Sequence, residues 1–237
     1  MNAAYNIVDC PHPDETSRAM LLKESYSVVQ PLRLVSRLHK LNKKDKGNGE
    51  RIMLLPGWKA HDTVMFPLKT YLSRLGYKPE YWGLGFNNGY VEKYRDQLIS
   101  RLSEEHNDEK ITLIGWSLGG VVAREVARVL PHKVAGVVTY GTPVIGGPKY
   151  TIGAKAWGTE EAERIINLLE SLESTDPISV PISAIFTKKD SIVNWSACID
   201  HHSRYVSHYE VKSTHLSLGI DPEVWEIVAD HLSAHAQ

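Results

Sequence analysis

The sequence predicts an α/β domain built on a mainly parallel sheet of about six core strands, with helices on both faces and a small helical cap. Three observations carry that expectation. From Arg51 onward, short β-branched runs alternate with amphipathic stretches of helical period, the pattern of strand–helix–strand crossovers. One junction reads Gly115-Trp116-Ser117-Leu118-Gly119, a serine framed by glycines where an apolar run gives way to a helix. The connection 141–181 is long for a compact domain, which implies an insertion.

Taken in order, "RIMLL" (51–55) is the first core strand. Residues 67–76 form a helix, with Pro67 at its start and Gly76 at its end. "YKPEYW" (77–82) is the second strand, and 90–105 a helix with Val91, Tyr94, Leu98 and Leu102 in one stripe. "KITLI" (110–114) is the third strand. Its helix, 119–131, turns Val122, Val126 and Val129 to one side and Arg124, Glu125 and Arg128 toward solvent. Strands at 134–140, 182–187 and 205–211 complete the sheet, and a last helix starts near Pro222. Within the insertion, 159–172 reads as a helix. Glu160, Glu161 and Glu163 suit its N-terminus, and Ala162, Ile165, Ile166, Leu169 and Leu172 form an apolar stripe. Residues 1–50 are then an N-terminal extension and 51–237 the main domain, with the cap near 146–178.

Composition narrows the function classes. The 237 residues suffice for one α/β domain with a sizeable core. A formal charge of −1 gives no global case for binding nucleic acid. Two cysteines, Cys10 and Cys198, make no disulfide framework and no paired metal ligands. No run approaches the roughly 18 apolar residues of a membrane-spanning helix. The N-terminus lacks the basic start and apolar core of a secretory signal. The expectation is a cytoplasmic protein.

The glycine-framed serine carries the chemistry. A nucleophile at the apex of a sharp strand-to-helix turn needs its flanking residues to pass closely, and glycine removes the clashing Cβ. A serine hydroxyl also needs a base, and the base an orienting acid, here in the chain order serine, acid, histidine. Asp190 follows the fifth strand and His215 the sixth, where ligands of such sheets bind. Asp200 is the rival acid. His201, His202 and His208 are the rival bases, the first two in a polar loop and the third inside a strand pattern. The oxyanion formed on attack needs preorganised donors. The backbone N–H of Leu118 is one candidate and that of Trp58, in "LLPGWKAHD", the other; an ordinary Pro-Gly turn is the competing reading. No metal or organic cofactor is required.

These residues resemble the α/β-hydrolase family, and within it the bacterial lipase- and esterase-like members. The resemblance runs over roughly 51–235. It includes "LLPGW…PLKTYLSRLGYKPEYWGLGFNNG", "GWSLGGVVAREVARVLPHKVAGVVTYGTP", "VPISAIFTKKDSIVNWSAC" and "STHLSLGIDPEVWEIVADHL". It implies Ser117 as nucleophile, Asp190 as acid, His215 as base, and an oxyanion hole at Trp58 and Leu118. One departure is Pro56-Gly57 where many lipases carry His-Gly, which removes a side chain that could brace the loop. The family narrows the reaction class far more than the substrate.

The expected substrate is a small-molecule or lipid ester with a short or medium acyl chain. Trp58, Trp116, Trp157 and Leu216 are candidate apolar walls, each equally explicable as core, and the insertion helix is a candidate lid. In the extension, Arg33, Arg37, Lys40 and Lys44 share a helical face opposite Leu34, Leu38 and Leu41. The preferred reading packs the leucines on the domain; weak peripheral contact with an anionic membrane is the alternative. Two further functions compete with ester hydrolysis. One is acyl transfer or thioester cleavage by the same triad, and the other a non-catalytic binding module that retains the pocket.

Overall fold

The computed structural model describes residues 10, 11, 24, 30–106, 109–153 and 159–235. Six strands form one sheet: β1 (Arg51–Leu55), β2 (Lys78–Tyr81), β3 (Ile111–Trp116), β4 (Val134–Tyr140), β5 (Ile182–Phe186) and β6 (Val206–Glu210). Their order is β2-β1-β3-β4-β5-β6, and every neighbouring pair is parallel. The chain winds outward from β1 to β2, then returns to lay β3 on the other side of β1. Strand order therefore reverses between β1 and β3, and a crevice opens above their carboxyl ends.

Alternation along the strands feeds two cores. Met53, Leu55, Leu113 and Val137 face one side, against α3 (Val91–Glu104) and α4 (Leu118–Val129). Ile52, Leu54, Ile114 and Val138 face the other, against α1 (Gln30–Leu41), α2 (Phe66–Arg74) and α6 (Pro222–His235). The α1 leucines do pack on the body: Leu41 is fully buried, and Leu34 and Leu38 rest on the second core. Three of the four residues of its basic face, all but the exposed Lys40, meet acidic groups on and beside α6. Arg33 pairs with Asp221 and Glu223, Arg37 with Glu223 and Glu226, and Lys44 with Asp230.

The sequence reading of α4 is corrected. Arg124, Glu125 and Arg128 are buried, while Val129 is 52% exposed. The insertion helix α5 (Thr159–Thr175) covers that face and meets it with charge. Glu173 accepts from Arg124 at 2.6 Å and from Arg128 at 2.7 Å, and Asp200 accepts from Arg124 at 2.8 Å. Arg128 also donates to the carbonyls of Leu172 and Asp176 and pairs with Glu125. A period-3.6 pattern reports one apolar stripe; it cannot report a second buried face that is filled by ion pairs. The stripe residues Ile166 and Leu169 are buried as expected. The side chains of Glu160, Glu161, Ala162 and Ile165 lie outside the described residues, as does Trp157.

Two buried histidines make stability depend on pH. Burial pushes His208 down to about 4, against a smaller opposing pull from Asp200. Burial also pushes His231 down to about 3, aided by His235. Each binds a proton below about 6.5 when unfolded but stays neutral when folded until the pH is far lower. Stability therefore falls as pH drops from about 6.5 toward 4, by up to about 1.4 kcal/mol per pH unit for each histidine, and is untouched by them above that window. Proton uptake on unfolding at pH 5.5, measured calorimetrically, should decrease by about one in His231→Gln.

Candidate active site

The reversal crevice is where Ser117 stands. Its backbone sits at φ 52° and ψ −123°, in a region costly for any residue with a Cβ. Three hydrogen bonds hold it there. Its N–H donates to the Tyr140 carbonyl at 2.9 Å, and its carbonyl accepts from the Gly120 N–H and the Thr142 hydroxyl, each at 2.9 Å. At roughly 1 kcal/mol each, these match a strain of about 1–3 kcal/mol. The glycines permit the turn by what they lack. A Cβ on Gly115 would overlap the backbone of Gly119 and Gly120, and one on Gly119 would overlap the carbonyls of Leu55 and Pro56. The strand run continues through Trp116, two residues beyond the sequence estimate, because the elbow pairs Gly115 and Trp116 with β4.

Asp190 and His215 meet. The His215 Nδ1 donates to Asp190 Oδ2 at 2.7 Å, and both side chains are almost wholly buried. The other carboxylate oxygen, Oδ1, accepts the N–H groups of Ile192 and Val193 at 2.9 and 2.8 Å, which fixes the orientation of the acid. The imidazole packs against Trp116, with ring centroids 5.7 Å apart. It also lies over Gly141, where a Cβ would come within 2.9 Å of Nδ1. With Nδ1–H committed to Asp190, Nε2 is the ring nitrogen able to accept a proton. The rivals have other partners or positions. Asp200 is bonded to Arg124, His208 Nε2 accepts the Asp200 N–H, and His201 and His202 are exposed.

Ser117, His215, Leu118 and Trp58 line one cavity of about 200 Å³. Its other walls are mostly apolar and include Trp116, Pro143, Ile192 and Leu216. From the insertion, the turn Pro148, Thr151, Ile152 and Gly153 supplies wall, whereas the described residues of α5 lie off the cavity. The lid expectation thus shifts from the helix to the turn before it. Lys59 is the one lining residue with a fixed charge among those described, and its ammonium lies 4.5 Å from the Trp58 ring.

The loop after β1 passes directly over the serine. A Cβ on Gly57 would stand 3.3 Å from that of Ser117. Leu118 opens α4, so its N–H belongs to the first turn, which has no acceptor within the helix. The missing brace of Pro56-Gly57 is supplied from elsewhere. Asn87, fully buried, donates from its side chain to the Pro56 carbonyl at 2.8 Å, and its own carbonyl accepts the Lys59 N–H at 2.8 Å. No residue spacing points to Asn87; it lies in the "WGLGFNNG" loop without a motif of its own. Glu24 was likewise invisible in sequence. Buried beside the histidine, it accepts the N–H groups of His215 and Leu216.

Residues 76–199, just over half of the chain, match the family described as alpha/beta hydrolase fold. That stretch holds Ser117 and Asp190 and ends before His215. Pimeloyl-[acyl-carrier protein] methyl ester esterases from Shewanella woodyi and Aromatoleum aromaticum are each 34% identical to this chain, over 99 and 100 residues respectively. The matches take in 39% and 40% of this chain and 36% and 38% of those proteins, so the chain spans little more than a third of their length. A solved monoacylglycerol lipase from Paleococcus ferrophilus superposes with a TM-score of 0.59 at 18% identity, over 80% of this chain and 97% of its own. At that identity the likeness concerns the fold. No helix among the described residues is long and apolar enough to cross a membrane.

The contrast between two aspartates is testable. Asp190→Asn should lower ester turnover by at least about 10²-fold with little change in melting temperature, because the lost group orients the histidine. Asp200→Asn should do the reverse: turnover per folded molecule near wild type, stability lower by about 3 kcal/mol, since Arg124 loses a buried partner. Thermal melts beside steady-state rates read both.

Proposed function

Because the chain belongs to the alpha/beta hydrolase fold family, we propose that it is a serine hydrolase that cleaves carboxylic esters of short or medium acyl chains. The observation that carries this reading is the buried Asp190–His215 hydrogen bond, whose histidine lines the same cavity as a strained, half-buried Ser117. In the proposed reaction His215 Nε2 takes the Ser117 hydroxyl proton as Oγ attacks the acyl carbon. The N–H groups of Leu118 and Trp58 receive the oxyanion. His215 then gives its proton to the leaving alcohol, and the sequence repeats with water to free the acid. Asp190 stabilises the imidazolium in both halves. The names of the relatives, methyl ester esterases, support a carboxylic ester as the bond broken.

A fluorophosphonate probe should label Ser117 in the full chain, and Ser117→Ala should remove both the label and about 10³-fold or more of esterase activity. Retention of either in a folded variant rules out the mechanism. Transfer to an alcohol, amine or thiol would run through the same acyl-enzyme. Product partition on adding each acceptor separates it from hydrolysis.

The size of the cavity supports a short or medium acyl chain. At about 200 Å³ it is smaller than the roughly 300–1,000 Å³ of sites for drug-sized ligands. Each buried methylene contributes about 0.8 kcal/mol only while there is wall to meet it. On p-nitrophenyl esters, kcat/KM should rise from acetate to about butyrate or hexanoate and then decline. A steady climb to palmitate, with a jump at an oil–water interface, would contradict the small-pocket reading.

A further inference from the structure

The N-terminal extension reaches into the site from outside the matched family stretch, and it does so with a charge. Glu24 is only 7% exposed. Its Oε1 accepts the Ser191 hydroxyl at 2.6 Å and the His215 N–H at 3.2 Å, and its Oε2 accepts the Leu216 N–H at 3.1 Å. One carboxylate thereby joins the residue after Asp190 to the backbone of His215. Farther along, Gln30 donates to Ser213 and Asp221, both at 2.7 Å, and Arg33 donates to the Lys212 carbonyl and to Asp221, both at 3.3 Å. Glu24, Gln30 and Arg33 thus hold the histidine loop, 212–221, near both of its ends and at the histidine itself. Among the described residues, the acid and histidine loops are joined directly by the Asp190–His215 bond and by the Thr187 hydroxyl on the Ser213 carbonyl at 2.7 Å.

We propose that Glu24 is a positioning residue that clamps the acid and histidine loops in register, making the N-terminal extension a functional part of the active site. This rests on the reading of Ser117, His215 and Asp190 given under Proposed function. A buried carboxylate is a poor choice for mere anchorage, since apolar packing of similar volume would serve as well or better. What it adds is geometry: three donors converge on two oxygens, which fixes the backbone at 215–216 and the side chain at 191 together. The His215 ring hangs from that backbone, and Leu216 forms cavity wall from it. A displacement of the base by about 1 Å can cost 10²-fold in rate.

The test uses the full chain carrying Glu24→Gln, which keeps the size but turns an amide N–H₂ toward N–H donors, and Glu24→Asp, which keeps the charge. Turnover of p-nitrophenyl butyrate is measured per fluorophosphonate-labelled serine, with melting temperature alongside. The low-field proton resonance of the His215 Nδ1–H bond, assigned by its absence in His215→Gln, is recorded for each. Glu24→Gln should lower kcat per labelled site by tenfold or more with KM within about twofold, and should shift or broaden the resonance. Glu24→Asp should fall between it and wild type. A lower melting temperature with per-site kcat and resonance unchanged would make Glu24 purely structural and overturn the proposal. If Glu24→Gln does not fold, the same readouts on Glu24→Asp decide. If the wild type hydrolyses no ester, the esterase reading fails on its own. The resonance then still tests the clamp, unchanged against it and altered for it.

Discussion

At Ser117 the backbone is held at φ 52°, and the contacts that hold it reach across the centre of the sheet. The Tyr140 carbonyl at the end of β4 and the Thr142 hydroxyl beyond it grip the turn from one side. On the other, Gly119 lies against the carbonyls of Leu55 and Pro56, leaving no room for a Cβ between α4 and the end of β1. The same closeness brings Gly57 onto the serine and so fixes where the loop after β1 can run. A turn that stores strain must be over-determined by its surroundings. Here β1, β3 and β4, adjacent only because strand order reverses at β1, all contribute to that restraint.

The insertion solves a second problem with charge instead of apolar packing. Arg124 and Arg128 stand on α4, one and two turns beyond its glycine-rich start, and Glu173 of α5 binds both. Two arginines share three carboxylates, those of Glu125, Glu173 and Asp200. Burial disfavours the Arg124 charge, but Glu173 and Asp200 outweigh it and leave the guanidinium more firmly protonated than in water. Because such a network stabilises only when all members are present, it fixes α5 in one register on α4. Ordinary packing between those helices would tolerate sliding. The turn 148–153, which walls the cavity, precedes α5 in the same insertion.

Legibility in the sequence followed locality. The strands, their crossover helices and the elbow were readable because each is set by a short periodic run or a glycine spacing, as in 51–55 and 115–119. That Asp190 and His215 would come together was readable because a parallel sheet gathers the loops just past its strand ends. The buried face of α4 was not, since Arg124 and Arg128 look solvent-bound until Glu173, some 45 residues on, is brought to them. Asn87 and Glu24 were not for the same reason. Each is one polar residue in an unpatterned stretch, and its meaning depends on loops it touches only after folding. Ends of elements drifted by one or two residues where pairing, as at Trp116, outlasted the β-branched run.

The two candidate acids also clarify what makes a carboxylate part of the chemistry. Asp190 and Asp200 are built alike. Each turns Oδ1 to the N–H groups two and three residues ahead, Ile192 and Val193 in one case, His202 and Ser203 in the other. Each leaves Oδ2 for a single strong partner, at 2.7 and 2.8 Å. Both are buried, and both lie in the connection between β5 and β6. The difference lies in the partner. Burial works to raise the Asp200 carboxyl, but Arg124 and the backbone donors hold it well below the usual carboxylate range, and a guanidinium does not give up its proton. That pair is a fixed charge couple, suited to locking helices. Asp190 faces an imidazole, which in the proposed reaction gains and loses a proton within one turnover. The same local scaffold therefore yields a structural lock in one place and, in the proposed reaction, an electrostatic partner for a moving proton in the other. Sequence spacing alone gives the scaffold; only the element that folds against it decides the use.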